Sequence, residues 1–135
     1  HAGDVGGREI LESLEAIAPV RAVRGNTDWG DFAKALPWTE VVEFDQAESG
    51  MIYLLHILED LDLDPATAGV SVVIHGHTHQ PSVEWRGEIL YLNPGSAGPR
   101  RFDYPVSVAR MIIPSSPGGM IEAEILDLDP SPATS

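Results

Sequence analysis

The chain has no cysteine, a single lysine (Lys34) and no long apolar run, and each shortage narrows what it can be. Without thiols, neither a disulfide framework nor a thiolate metal site is available, and a reducing, cytoplasmic setting is the default expectation. No stretch of about 18 apolar residues occurs, so no membrane-spanning helix is expected. The opening HAGDVGGREI is polar and glycine-rich, unlike a secretory signal. Positive charge is scarce: 8 Lys and Arg stand against 21 Asp and Glu, a formal net charge of −13. So acidic a surface repels a phosphate backbone, and extended nucleic acid is not an expected partner. A small phosphate ester would need local positive charge to dock, which divalent metals could supply. The plainer reading is that acidity keeps the chain soluble.

What is present fits one domain. The 135 residues, 43% of them apolar, suffice for one buried core. Ile10, Leu11, Leu14 and Ile17 recur at helical spacing and predict an amphipathic helix over residues 5–18, stopped by Pro19. Strands are expected at residues 20–24, 38–44, 51–55 and 70–74, the last two as nearly unbroken apolar runs that suit burial on both faces. Pro65 starts a helical turn or two, up to Gly69. Residues 83–86 and 88–92 predict a hairpin about Gly87, and residues 106–113 and 120–126 a closing hairpin. Residues 127–135 have the composition of a flexible tail, which leaves residues 1–126 as the domain. The pattern belongs to the α/β class, bordering on α+β: two packed mixed β-sheets flanked by helices.

Four segments place polar residues directly after apolar strands: Gly3-Asp4, Gly25-Asn26-Thr27-Asp28, Leu55-His56 and Gly76-His77-Thr78-His79. Loops at the carboxyl ends of strands are where α/β proteins gather their sites. Carboxylate, amide and imidazole donors without sulfur suit Mn, Fe, Zn, Ni or Co better than Ca or Mg. Each residue has a simpler reading. Asp4 could cap the following helix, Asn26 could serve the turn, and His56 could be a core histidine. His1 and His75 read as structural. The pair His77 and His79, two apart after a strand with Gly76 allowing close approach, points most directly to a metal.

Taken in order, His-Ala-Gly-Asp, Val-Arg-Gly-Asn-Thr-Asp and Ile-His-Gly-His-Thr-His-Gln-Pro, with Asn93-Pro94-Gly95-Ser96 and Pro99-Arg100 beyond them, resemble the calcineurin-like metallophosphoesterases, in particular their small YfcE-like phosphodiesterase branch. The resemblance covers residues 1 to about 126. It implies two packed sheets, two divalent metals above the strands, and hydrolysis of phosphodiesters or small phosphomonoesters by a hydroxide bridging metals roughly 3.5–4 Å apart. By the same resemblance Asp4 would bridge the metals, Asn26, His56 and His77 would complete one site, and His79 would belong to the other. Manganese is the first choice of metal, with Ni, Fe, Zn or Co as alternatives.

Three departures accompany it. Family members open with a strand ending in Asp-x-His, upstream of the Gly-Asp motif, that helps bind the other metal. That strand and the helix and strand after it have no counterpart in these residues, so one well-formed site, a poor enzyme, and either a partial sequence or completion by another chain or a homo-oligomer are expected. Relatives usually have glycine where Ile57 stands. Much of the superfamily has histidine at the position of Thr27, and a threonine hydroxyl is no general acid near neutrality. Asp28 or a metal-held water would then donate the proton. Arg100 is a candidate contact for a substrate phosphate. Alternatives of other classes are a non-catalytic scaffold for protein partners, and a domain that binds metal for stability alone.

Overall fold

The computed structural model describes residues 1–45, 49–98, 103–116 and 118–128. Its centre is a five-stranded mixed sheet. β1 (Thr39–Asp45) and β2 (Ser49–Leu55) pair antiparallel, β3 (Val70–Ile74) lies parallel to β2, and β5 (Ile89–Asn93) lies parallel to β3. β4 (Ser82–Arg86) closes the far edge antiparallel to β5. A separate antiparallel hairpin, β6 (Ser107–Ile112) with β7 (Glu122–Asp127), makes the second, smaller sheet. The expected two sheets with flanking helices are found, but the helices are few and short, and the second sheet is a hairpin rather than a mixed sheet.

Burial explains the sheet order. In the central strand Val72 and Val73 are both fully buried, so neighbouring side chains on opposite faces are both covered. This is the covered parallel strand that an unbroken apolar run encodes. On one face Tyr53, Leu55, Val70, Val73 and Tyr91 form a cluster closed by Leu58, Leu61, Leu63 and Ile89. The 3₁₀ turn Leu58–Asp60 and the short α3 (Pro65–Ala68) bring that closing segment back to β3. Pro at the first turn of α3 and a left-handed Gly69 after it are the usual start and stop of a helix. β1, by contrast, alternates exposed and half-buried residues along its length, as an edge strand does.

Two elements differ from expectation. The first helix, α1, spans Arg8–Glu15 rather than residues 5–18, and buries none of its residues. Its start is displaced because the amides of Val5 and Gly6 are already taken by the Asp28 carboxylate, leaving Gly7 as the cap. Residues 20–24 are not a strand. Ala22 and Val23 are buried, but the pairing amounts to two backbone hydrogen bonds: the His1 amine donates to the Arg21 carbonyl and the Val23 amide donates to the His1 carbonyl. The single-turn helix α2 (Asp31–Lys34), following Gly30, was not anticipated, being too short to leave a periodic pattern.

Because β2, β3 and β5 run parallel, their carboxyl ends open on one edge of the sheet and deliver His56, the Gly76 loop and Asn93 there together. Leu90, fully buried at the middle of β5, measures how much the site leans on this platform. Leu90→Ala is expected to lower the unfolding free energy by about 3 kcal/mol in urea titration, whereas Val83→Ala on the exposed β4 changes it by less than about 0.5 kcal/mol.

Candidate metal centre

The ends of these strands, with two loops that precede them in sequence, bring four polar side chains to one point. The His56 Nε2 lies 2.8 Å from the Asn26 Oδ1 and 3.2 Å from the Asp4 Oδ2. The His77 Nδ1 lies 3.1 Å from the same Asn26 oxygen. The two imidazoles meet edge-on with centroids 5.2 Å apart. One donor atom from each of Asp4, His56 and His77 falls within 4.8 Å of the others. That approaches the spacing of donors that share one ion at about 2.0–2.2 Å.

The other nitrogen of His56 shows what the cluster suits. Its Nδ1–H donates to the Ala2 carbonyl at 2.7 Å, which fixes the neutral ring as the tautomer with a lone pair at Nε2. That lone pair is aimed at two oxygens, and an arrangement of acceptors facing acceptors is repulsive unless positive charge sits between them. A divalent cation fits. A backbone carbonyl orienting the far nitrogen is the usual support of a metal-binding histidine.

The backbone is bent to make this possible. Asp4, His77 and His79, at φ 56°, 72° and 65°, are the non-glycine residues with positive φ among those described. Each such conformation costs on the order of 1–3 kcal/mol and persists only where surrounding contacts impose it. For Asp4 those contacts are visible: the Thr27 amide donates to its Oδ1 at 2.9 Å. Gly25 passes so close that a β-carbon there would sit 2.2 Å from the Asp4 nitrogen and Oδ1. Gly3 is pressed as hard, since a β-carbon would sit 2.7 Å from the His56 Nδ1. Asn93, at 1% exposure, holds the histidine loop by donating from Nδ2 to the Thr78 hydroxyl at 3.1 Å and toward the Gly76 carbonyl at 3.4 Å.

The candidate residues therefore divide. Asp4, Asn26, His56 and His77 come together, and the helix-cap alternative for Asp4 falls away because Gly7 occupies the cap. His79 follows in the same loop but stands outside the three-donor group. Asp28 is redirected. Its Oδ1 accepts from the Val5 amide at 2.8 Å and the Gly6 amide at 3.3 Å, and its Oδ2 from the Gly25 amide at 2.8 Å. A buried carboxylate with N–H donors on both oxygens clamps two loops together and is poorly placed to give up a proton, so the general-acid expectation does not fit it. Arg100 lies outside the described residues. His75 is buried, its Nδ1 has no partner among the described residues, and burial, aided by the nearby Arg86 charge, lowers its pKa from the ordinary histidine value. What the sequence reading missed was positioning: Asn93 and Asp28 fix the donors without joining them. Asn93 at the very end of a strand and Asp28 just after a glycine turn were the available signals.

Residues 1–115 match the family model of the calcineurin-like phosphoesterase superfamily domain. A probable metallophosphoesterase of Methanothermobacter thermautotrophicus is 34% identical over 131 residues, covering 93% of this chain and 73% of that protein. Another, from Methanocaldococcus jannaschii, is 41% identical over 71% of this chain and 50% of its own length. Phosphodiesterase YfcE of Escherichia coli is 31% identical over 89% of this chain, and the chain spans 62% of it. The solved YfcE structure superposes with a TM-score of 0.58 at 29% identity, over 80% of this chain and 69% of that one. Vps29 of Entamoeba histolytica, solved with zinc, superposes at 0.69 over 93% of this chain and 79% of its own, and at 24% identity shares the fold.

The clamp can be tested without any metal. Asp28→Ala strands three amides, two of them in the loop that carries Asp4, and is expected to destabilise the protein by about 3 kcal/mol in urea titration. Asp31→Ala, at an exposed carboxylate nearby, should leave stability unchanged within about 0.5 kcal/mol.

Proposed function

Because the chain belongs to the calcineurin-like phosphoesterase superfamily, we propose that it is a metal-dependent phosphoesterase acting on phosphodiesters or small phosphomonoesters. The observation that carries the proposal is the meeting of the Asn26 oxygen, the Asp4 carboxylate and the His56 and His77 rings. Asp4, Asn26, His56 and His77 would hold one ion, and His79 with Asp4 would contribute to holding a second. Mixed oxygen and imidazole donors favour Mn²⁺, with Ni, Fe, Zn or Co able to substitute. The bound ions supply positive charge for the phosphoryl group and a nucleophile from water at neutral pH.

The chain's own residues then do three things. Ala2 holds the His56 ring in the tautomer that presents its Nε2. The Thr27 amide holds the Asp4 carboxylate, so its other oxygen, Oδ2, is the one turned to His56. Asn93 keeps the His77 loop on the same edge of the sheet. Neither Thr27 nor Asp28 offers a suitable general acid, so esters with good leaving groups should be the better substrates. These residues gather one convergent donor set, and slow turnover is accordingly expected of this 135-residue form. Convergence also favours the enzyme over the scaffold reading, because a surface that only docks proteins has no use for three strained donor-bearing residues. A cytoplasmic setting remains the reading of the composition; no helix is long and apolar enough to cross a membrane among the described residues.

Mn²⁺ at 100 times its dissociation constant is expected to stabilise the protein by about 2.7 kcal/mol, read as a rise in Tm. Asn26→Ala and His56→Ala should abolish the rise, and His75→Ala should keep it. Hydrolysis of bis-p-nitrophenyl phosphate should need added Mn²⁺ and fall in Asn26→Ala by on the order of 100-fold or to background. A Tm indifferent to Mn²⁺, Zn²⁺ and Ni²⁺ alike would remove the basis of this assignment.

A further inference from the structure

Beside the donor cluster lies an open cavity of ≈330 Å³, lined by residues 6–9, 27–30 and 32. Its size is at the low end of small-molecule pockets. The two sites share a wall: Thr27 lines the cavity, and its backbone amide holds the Asp4 carboxylate. Asp28, also in the wall, fastens Gly6 to Gly25 across the same boundary.

Three features of the lining point to a ligand. Trp29 is 80% exposed, a large apolar surface left in water at the mouth of a concavity. The chain's other exposed tryptophans differ from it, although Trp85, 41% exposed, also lines a concavity, beside Arg110, Glu122 and Glu124. Trp38 is covered by the Arg24 guanidinium 4.6 Å from its ring, and Trp85 lies in strand β4, whereas Trp29 has no ring or cation partner among the described residues. Phe32, half-buried, adds a second aromatic to the lining. The space is also kept clear, because β-carbons built at Gly6 and Gly30 would touch nothing within 4 Å. Finally, Arg8 lines the cavity with no ion-pair partner among the described residues, although the chain carries a net charge of −13. A free guanidinium in so acidic a protein is matched to an anion or to a π-face.

An exposed indole, a second aromatic and an unpaired arginine around a small cavity are the elements that bind a planar heterocycle attached to phosphate. The overall charge argues against a polymer, so a single nucleotide unit fits better than a strand. We propose that this cavity receives the nucleobase of a nucleotide-type phosphate ester whose phosphate lies at the Asp4–Asn26–His56–His77 cluster, with Trp29 as the stacking face. This names the substrate class for the function proposed above and rests on that reading for the position of the phosphate.

The experiment compares AMP with ribose 5-phosphate, which differ only in the base, by titration calorimetry on the full chain with Mn²⁺. AMP is expected to bind about tenfold more tightly, the size of one aromatic–base stack. Trp29→Ala should erase that preference while leaving ribose 5-phosphate affinity within twofold, and Trp29→Phe should restore most of it. Equal affinity for the two ligands in the wild type, or a preference that survives Trp29→Ala, overturns the proposal. Adenosine, with no phosphate, separates the two claims. It should bind wild type and Asn26→Ala alike, whereas the Mn²⁺-dependent rise in Tm should be lost in Asn26→Ala. Adenosine binding without any Mn²⁺ response in the wild type leaves the base cavity standing and overturns the phosphate placement; a Mn²⁺ response without discrimination between AMP and ribose 5-phosphate does the reverse.

Discussion

The hydrogen bond from His56 to the Ala2 carbonyl is the constraint on which the rest of the site turns. It spends the one N–H of a neutral imidazole on the backbone and so leaves a lone pair directed at the Asn26 and Asp4 oxygens. An isolated set of mutually facing acceptors would drift apart. Here the backbone forbids it: the segment bearing Ala2 and Asp4 is pinned between Gly25 on one side and His56 on the other, with no room for a β-carbon at Gly3 or Gly25. Strain at Asp4, His77 and His79 is the counterpart of that crowding, and the buried sheet edge beneath supplies the rigidity that sustains it.

Much of this was legible because local chemistry and tertiary structure agree. The run Val70–Ile74 reads as a covered strand and is one, with Val72 and Val73 fully buried. Both hairpins fall where alternating residues flank turn signals. The donor quartet was legible as well, since polar residues directly after apolar strands have few structural reasons to be there. Where the reading failed, a side chain had reached across the sequence. The start of α1 is set by Asp28, 23 residues beyond Val5, and no periodicity in α1 itself records that. Residues 20–24 carry strand-like composition and bury Ala22 and Val23, yet composition alone does not say whether a ladder of partners forms beside them. Asp28 misled for a related reason. Next to a ligand motif a carboxylate invites a catalytic role, and only the positions of three amides reveal that it serves the backbone.

Charge ties the levels together. With 21 acidic and 8 basic residues, the chain has little of its own to attract a phosphate. Arg110 answers Glu124, Arg86 answers Glu84 and covers Tyr91, and Arg21 answers Glu40. Most of the described cations are thus committed to neighbouring carboxylates or rings. Under the proposed function, attraction for an anionic substrate would have to come from a bound ion and from whatever arginine remains uncommitted near it, so the surroundings of the donor cluster would matter more than the net charge does.

The loops that form the cluster are far apart along the chain, and this bears on how the protein acquires its shape. Ala2 meets His56 across 54 positions, Asn26 meets His56 across 30, and Asn26 meets His77 across 51. Contacts of such long range are assembled late and slowly, after the loop-closure entropy has been met. A chain that ends before residue 56 holds none of these pairings, and the pairing with His77 needs a chain that extends to residue 77, so the full donor set comes together only late in chain assembly. Ion uptake should consequently report completion of folding, its onset following the slowest step of chain assembly rather than the speed at which ions diffuse.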